Sequence, residues 1–94
     1  GAGFKTCSSY LDARARGNGD DMVFVDWLGG YLSGVNAISR RTTNVLGTAD
    51  LTSAIFWLDH FCRENSPAAF AAAADARVAA AVTAVAEATP PARR

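Results

Sequence analysis

Lysine occurs once in this chain, at Lys5, and histidine once, at His60. Nor is there an excess of either charge: nine Lys+Arg stand against nine Asp+Glu, for a formal net charge of zero. That balance excludes a basic nucleic-acid footprint on charge alone, and with it a polybasic membrane anchor. Long apolar runs are also missing, so no segment reaches the roughly 18–20 residues of a membrane span. Two cysteines and one histidine cannot by themselves close a four-ligand zinc site. HExxH, Walker and GxSxG patterns are absent, and nothing in the sequence calls for a metal or a cofactor. Disorder is excluded too, because half of the residues are hydrophobic and only 19% are charged. A chain of 94 residues has room for one small domain.

What is present points to helix. Alanine is the commonest residue, and β-branched residues are sparse in the patterned stretches. The fold class expected is all-α: a single domain over 1–94 with four to five helices and an ordered core at about 5–88. Residues 89–94 are expected to fray after Pro90-Pro91.

The first helix is expected over residues 7–15, with Thr6 as N-cap and Cys7, Tyr10 and Leu11 on one side. Arg14 and Arg16 sit near its C-terminal end, where cations suit the helix dipole. Gly17-Asn18-Gly19 breaks it. A second helix, over 21–39 with Asp20 or Asp21 as cap, carries a stripe of Phe24, Trp27, Leu28, Tyr31, Val35 and Ile38. Gly29, Gly30 and Gly34 interrupt it at roughly 1 kcal/mol each relative to alanine. Two explanations stay open: a helix or aromatic ring approaching the Gly30-Gly34-Ala37 flank, or a kink at Gly29-Gly30.

Residues 40–49 look turn-like, with Val45 and Leu46 tucked onto the core. The third helix, over 51–64, points Leu51, Ala54, Ile55, Leu58, Phe61 and Cys62 inward. Asn65-Ser66-Pro67 reads as a helix end, a cap and a first helical position. The fourth helix then runs to about residue 87, with Phe70, Ala74, Val78, Ala81, Val82 and Val85 inward and Asp75, Arg77 and Glu87 outward.

Candidate chemistry is sparse. His60 and Cys62 are two residues apart, so on one helix they point in different directions and make a poor nucleophile pair. Asp59 and Glu64 read as a solvated face or helix ends, and Asp20-Asp21 as a helix start. No catalytic residue is assigned. Phe56 points outward with Trp57 beside it, a pair that offers a partner or dimer contact. Cys7 and Cys62 have two readings: one disulfide in an oxidising compartment, or two separate buried thiols. The opening Gly1-Ala2-Gly3-Phe4 has no leader character and fits a mature form whose signal peptide has been removed.

Three strings carry a resemblance: Thr6-Cys7-Ser8-Ser9-Tyr10-Leu11, Trp27-Leu28-Gly29-Gly30-Tyr31-Leu32-Ser33-Gly34, and Trp57-Leu58-Asp59-His60-Phe61-Cys62-Arg63-Glu64-Asn65-Ser66-Pro67. Together they resemble small periplasmic proteins of the HdeA/HdeB type, and also the helical Tai-type immunity proteins that block type VI secretion amidases. The first resemblance implies an all-helical periplasmic domain with Cys7 bridged to Cys62. It implies a homodimer at neutral pH that loosens in acid and holds unfolded clients on apolar surface. The second implies an inhibitor with one enzyme partner. Neither implies an enzyme, and neither implies nucleic-acid binding or membrane insertion.

Overall fold

The computed structural model describes residues 1–38 and 51–88, with side chains as far as Thr83. The described residues form a 3-10 turn at Ala2–Phe4 and four α-helices: α1 (Cys7–Arg16), α2 (Met22–Ile38), α3 (Leu51–Glu64) and α4 (Phe70–Ala88). No strand is present among them, and the lone β-bridge joins Thr6 to Ala69. The expected all-α domain is what folds. The segment 40–49, with Val45 and Leu46, lies outside the described residues, as do 89–94.

Local chemistry accounts for the helix ends. The Thr6 side chain accepts the Ser9 amide at 3.1 Å, satisfying one of the free donors at the start of α1. Gly17 ends α1 in the left-handed region at φ 64°, where a side chain would be strained. Asn65 closes α3 by donating from its side-chain amide to the Phe61 carbonyl at 2.9 Å.

The start of α4 differs from expectation. Ser66 and Pro67 do not cap it; they lie in a turn, and the helix begins at Phe70. The reason is a competing use of the backbone. The Cys7 amide donates to the Ala68 carbonyl at 2.8 Å, and the Ser8 amide to the Ser66 carbonyl at 3.0 Å. Phe70 donates to the Lys5 carbonyl at 2.7 Å. The turn therefore serves the free amides of α1, which a helix starting at residue 67 would not reach.

Cys7 and Cys62 are bonded, with Cα atoms 5.0 Å apart, and both are fully buried. The bond closes a separation of 55 residues, worth about 4 kcal/mol by chain entropy. It joins the first turn of α1 to the last turn of α3.

The core is aromatic at its centre. Tyr10, Phe24 and Phe70 form a triangle with ring centroids 4.8–5.4 Å apart. Trp27 meets Phe70 edge-on at 5.7 Å and stacks on Tyr31 at 5.3 Å. Around them Leu28, Ala54, Leu58, Ala73 and Ala74 are fully buried. The inward stripe of α2 is Phe24, Leu28 and Leu32, with Trp27 and Tyr31 half-buried beside it. Ile38, expected inside, is exposed, as is Val82 on α4. Both lie toward the ends of their helices, away from the aromatic centre. Val85 and Glu87 have no described side chain.

Of the two explanations for the glycines of α2, the close approach is not found among the described residues. A Cβ built on Gly30 or Gly34 meets nothing within 4 Å among the described residues. The tight glycine is Gly3, where a Cβ would lie 2.6 Å from the Trp27 ring. Ala2 and Gly3 are buried, so the packed core starts at residue 2 rather than near residue 5.

Candidate functional site

Two side-chain groupings on this framework have chemistry beyond packing. The first lies between α1 and α3. Because these helices run antiparallel from the Cys7–Cys62 bond, one turn forward from Cys7 faces one turn back from Cys62. That register opposes Tyr10 to Asp59. The Tyr10 hydroxyl donates to Asp59 Oδ1 at 2.6 Å and lies 3.4 Å from the Ile55 carbonyl. A further turn along, Arg14 takes the same carboxylate as a fork, Nε to Oδ1 at 3.0 Å and Nη2 to Oδ2 at 2.7 Å. Its Nη1 reaches Asp21 Oδ2 at 3.2 Å. One guanidinium thus ties α1 to α3 and to the residue preceding α2.

Asp59 is accordingly not on a solvated face, as expected from sequence; its side chain is only 14% exposed. Arg14, expected merely to suit the helix dipole, is a three-way brace. Burial first, then the hydrogen bond to Asp59, raises the pKa of Tyr10 well above the ordinary tyrosine value. The Asp59 hydrogen bond raises that of Arg14. Tyr10 is held neutral and Arg14 charged, with the donors and acceptors of both directed at one another. Such a group holds helices together; it presents no poised proton donor or nucleophile. A smaller counterpart lies at Tyr31, which donates to Asp75 on α4. Desolvation, then that bond, pushes its pKa up to about 12.

The second grouping is the outer side of α3 against α4. Phe56 is 64% exposed, as expected, and Trp57 is half-buried beside it. Trp57 stacks on Phe61 at 5.4 Å with the planes 13° apart. Phe61, expected in the core, is therefore half-buried on this side. Arg77, expected outward on α4, instead lays its guanidinium over the Trp57 ring, 5.8 Å from the centroid. Its Nε is buried without a hydrogen-bond partner. Among the described residues no carboxylate pairs with it; the ion pairs are Arg14–Asp21, Arg14–Asp59 and Arg16–Asp20.

His60 is exposed and lies away from Cys62, which is committed to the disulfide. Among the described residues no group of three or more His, Cys, Asp or Glu side chains gathers as a metal site would require. Nor is any described helix long and apolar enough to cross a membrane. An open depression of about 360 Å³ lies between α1 and the start of α2, its lining including Lys5, Ser9, Ala13 and Val23.

Sequence reasoning named Phe56 and Trp57 but not Arg77, Asp59 or Arg14 as members of these groupings. The disulfide register is the signal that finds Tyr10 and Asp59. Nothing in the spacing of α4 marks Arg77, whose role depends on where α4 crosses α3.

No family model matches the chain, and neither a curated protein nor a solved structure does.

Proposed function

We propose that this is an exported helical holding protein of the acid-stress kind, which loosens in acid and takes up unfolding clients on its apolar surface. One observation carries the reading: the ionic joins between elements outside the disulfide depend on carboxylates. Arg14 on α1 pairs with Asp59 on α3 and with Asp21, the residue preceding α2. Below about pH 3 carboxylates are mostly protonated. With carboxylate charge lost, nine Lys+Arg with His60 bring the net charge to about +10. Self-repulsion and the lost brace act together to open the helices. The Cys7–Cys62 bond does not titrate, so it keeps α1 tethered to α3 while α2 and α4 separate. Opening bares the aromatic centre, adding to Phe4 and Phe56, which are exposed already. A buried disulfide in so small a domain fits an oxidising compartment such as the periplasm.

The test is light scattering of an aggregation-prone client at pH 7 and near pH 3, with and without the protein. Suppression in acid alone is expected. No suppression at either pH overturns the reading.

A second reading is an immunity-type inhibitor of one enzyme, such as a secreted amidase. The observation favouring it is that Phe56 is exposed on the intact neutral-pH fold rather than released by opening. Stoichiometric capture of one enzyme at pH 7, with the fold unchanged, would support it in place of the first.

A further inference from the structure

From the α3–α4 face we infer a docking site for an acidic–aromatic segment of a partner protein, with Arg77 as the anchor for an Asp or Glu side chain. This is independent of acid opening, because it uses the closed fold.

The argument starts from an imbalance. Arg14 and Arg16 each face a carboxylate within the fold. Arg77 has the flat face of Trp57 instead, and its Nε is buried with no acceptor. The Nε–H is closed to an arriving partner, so a carboxylate meets the two Nη groups, whose outer donors form a planar fork that matches it in two places. Lying over an indole fixes the plane of that fork and lowers the ordering cost when a carboxylate arrives. The arrangement is thus a pre-set cation lacking its anion.

What surrounds it selects the rest of the partner. Trp57 and Phe61 form a stacked, half-buried pair on the same side of α3, and Phe56, the residue before Trp57, is mostly in water. Aromatic rings beside an arginine are the composition enriched where partners anchor. A carboxylate alone would use Arg77 and leave these rings wet. A segment with an aromatic residue next to the acid would cover both. Charge complementarity therefore chooses an acidic rather than a basic segment, and the rings choose an aromatic neighbour.

The probe is a blocked hexapeptide, acetyl-Gly-Phe-Glu-Phe-Glu-Gly-amide, with its Gln-for-Glu counterpart as the control. Each is titrated into the disulfide-intact full chain at pH 7 and followed by the two indole N–H signals in NMR. Trp57→Phe assigns the signal. The expected result is saturable movement of the Trp57 signal by the Glu peptide. Arg77→Gln should weaken binding about tenfold or more, as loss of a charge-assisted pair does. Phe56→Ala should weaken it less, and Arg77→Lys should retain part of it. Arg16→Gln, another exposed arginine, should leave it unchanged. Far-UV circular dichroism confirms that each variant folds. Equal binding of the Gln peptide, undiminished binding by folded Arg77→Gln, or no binding up to millimolar peptide overturns the proposal. So does sedimentation showing that a second copy of the chain already covers Phe56 and Trp57.

Discussion

Asp59→Ala separates two pictures of this protein. If Asp59 stood on a solvated face, its loss would fall within about 0.5 kcal/mol of zero, as surface substitutions usually do. The structure gives it three hydrogen bonds: two from Arg14 and one from the buried Tyr10 hydroxyl. Hydrogen bonds to charged groups contribute about 1.5–3 kcal/mol, and the Tyr10 hydroxyl keeps only its long approach, 3.4 Å, to the Ile55 carbonyl. Breaking a fully buried ion pair costs about 3–5 kcal/mol. Here the Arg14 side chain is 31% exposed, so water recovers part of that loss. The expected cost is about 3 kcal/mol, a large share of the roughly 5–10 kcal/mol that holds a domain of this size. It corresponds to a fall in Tm of about 12–24 °C. The assay is urea unfolding followed by tryptophan fluorescence with the disulfide intact. Asp26→Asn on the exposed side of α2 serves as control. Asp59→Asn should cost less, since its amide oxygen still accepts from Tyr10. A double-mutant cycle with Arg14→Gln should return a coupling of about 1–3 kcal/mol. If Asp59→Ala unfolds at the same urea concentration as Asp26→Asn, the brace does not stabilise the fold and the reasoning fails.

Gly3→Ala should destabilise by about 1–3 kcal/mol, because its methyl would press on the Trp27 ring. Gly30→Ala, with open space at its Cβ, should stabilise by up to about 1 kcal/mol. Thermal melts of the two variants decide this, and shifts in the same direction would contradict the packing described. Both tyrosines titrate above their ordinary value, so the folded chain favours them neutral. The stability drawn from Tyr31 is complete below its unfolded pKa, near 10, and is lost as pH rises to about 12. Absorbance at about 295 nm should show little tyrosinate at pH 10, where free tyrosines are half ionised. Half ionisation at that pH with the helical spectrum intact would refute both environments.

How much of this was legible beforehand follows from the range of each interaction. Apolar residues three and four apart, Thr6 before a helix and Gly17 after it act within one or two turns. These local forces placed α1, and they placed α3 over residues 51–64. They also turned Phe56 outward. The start of α4 is not legible in local sequence, because Ser66 and Ala68 offer their carbonyls to the amides of α1, a demand from far along the chain. Of the stripe on α2, the half nearest the aromatic centre was legible. Ile38 was not, since an apolar period shows which residues share a face and not where the neighbouring helix stops.

The polar groupings belong to tertiary structure almost entirely. Asp59 is three residues from Cys62, and Tyr10 three from Cys7. Only the bond between those cysteines, with the helices antiparallel, sets one against the other. Arg77 is one polar position in an alanine-rich helix until α4 crosses α3 and brings Trp57 beneath it. Propensity and periodicity are properties of neighbours along the chain, so they suffice for the all-helical class and for most of the helix bounds, while the pairing of Cys7 with Cys62 stays open until the fold brings them together. Which charges are paired, where a glycine is tight among the described residues and which arginine lies on an indole come from the packing of the helices. Those depend on distances between helices, which local spacing does not encode.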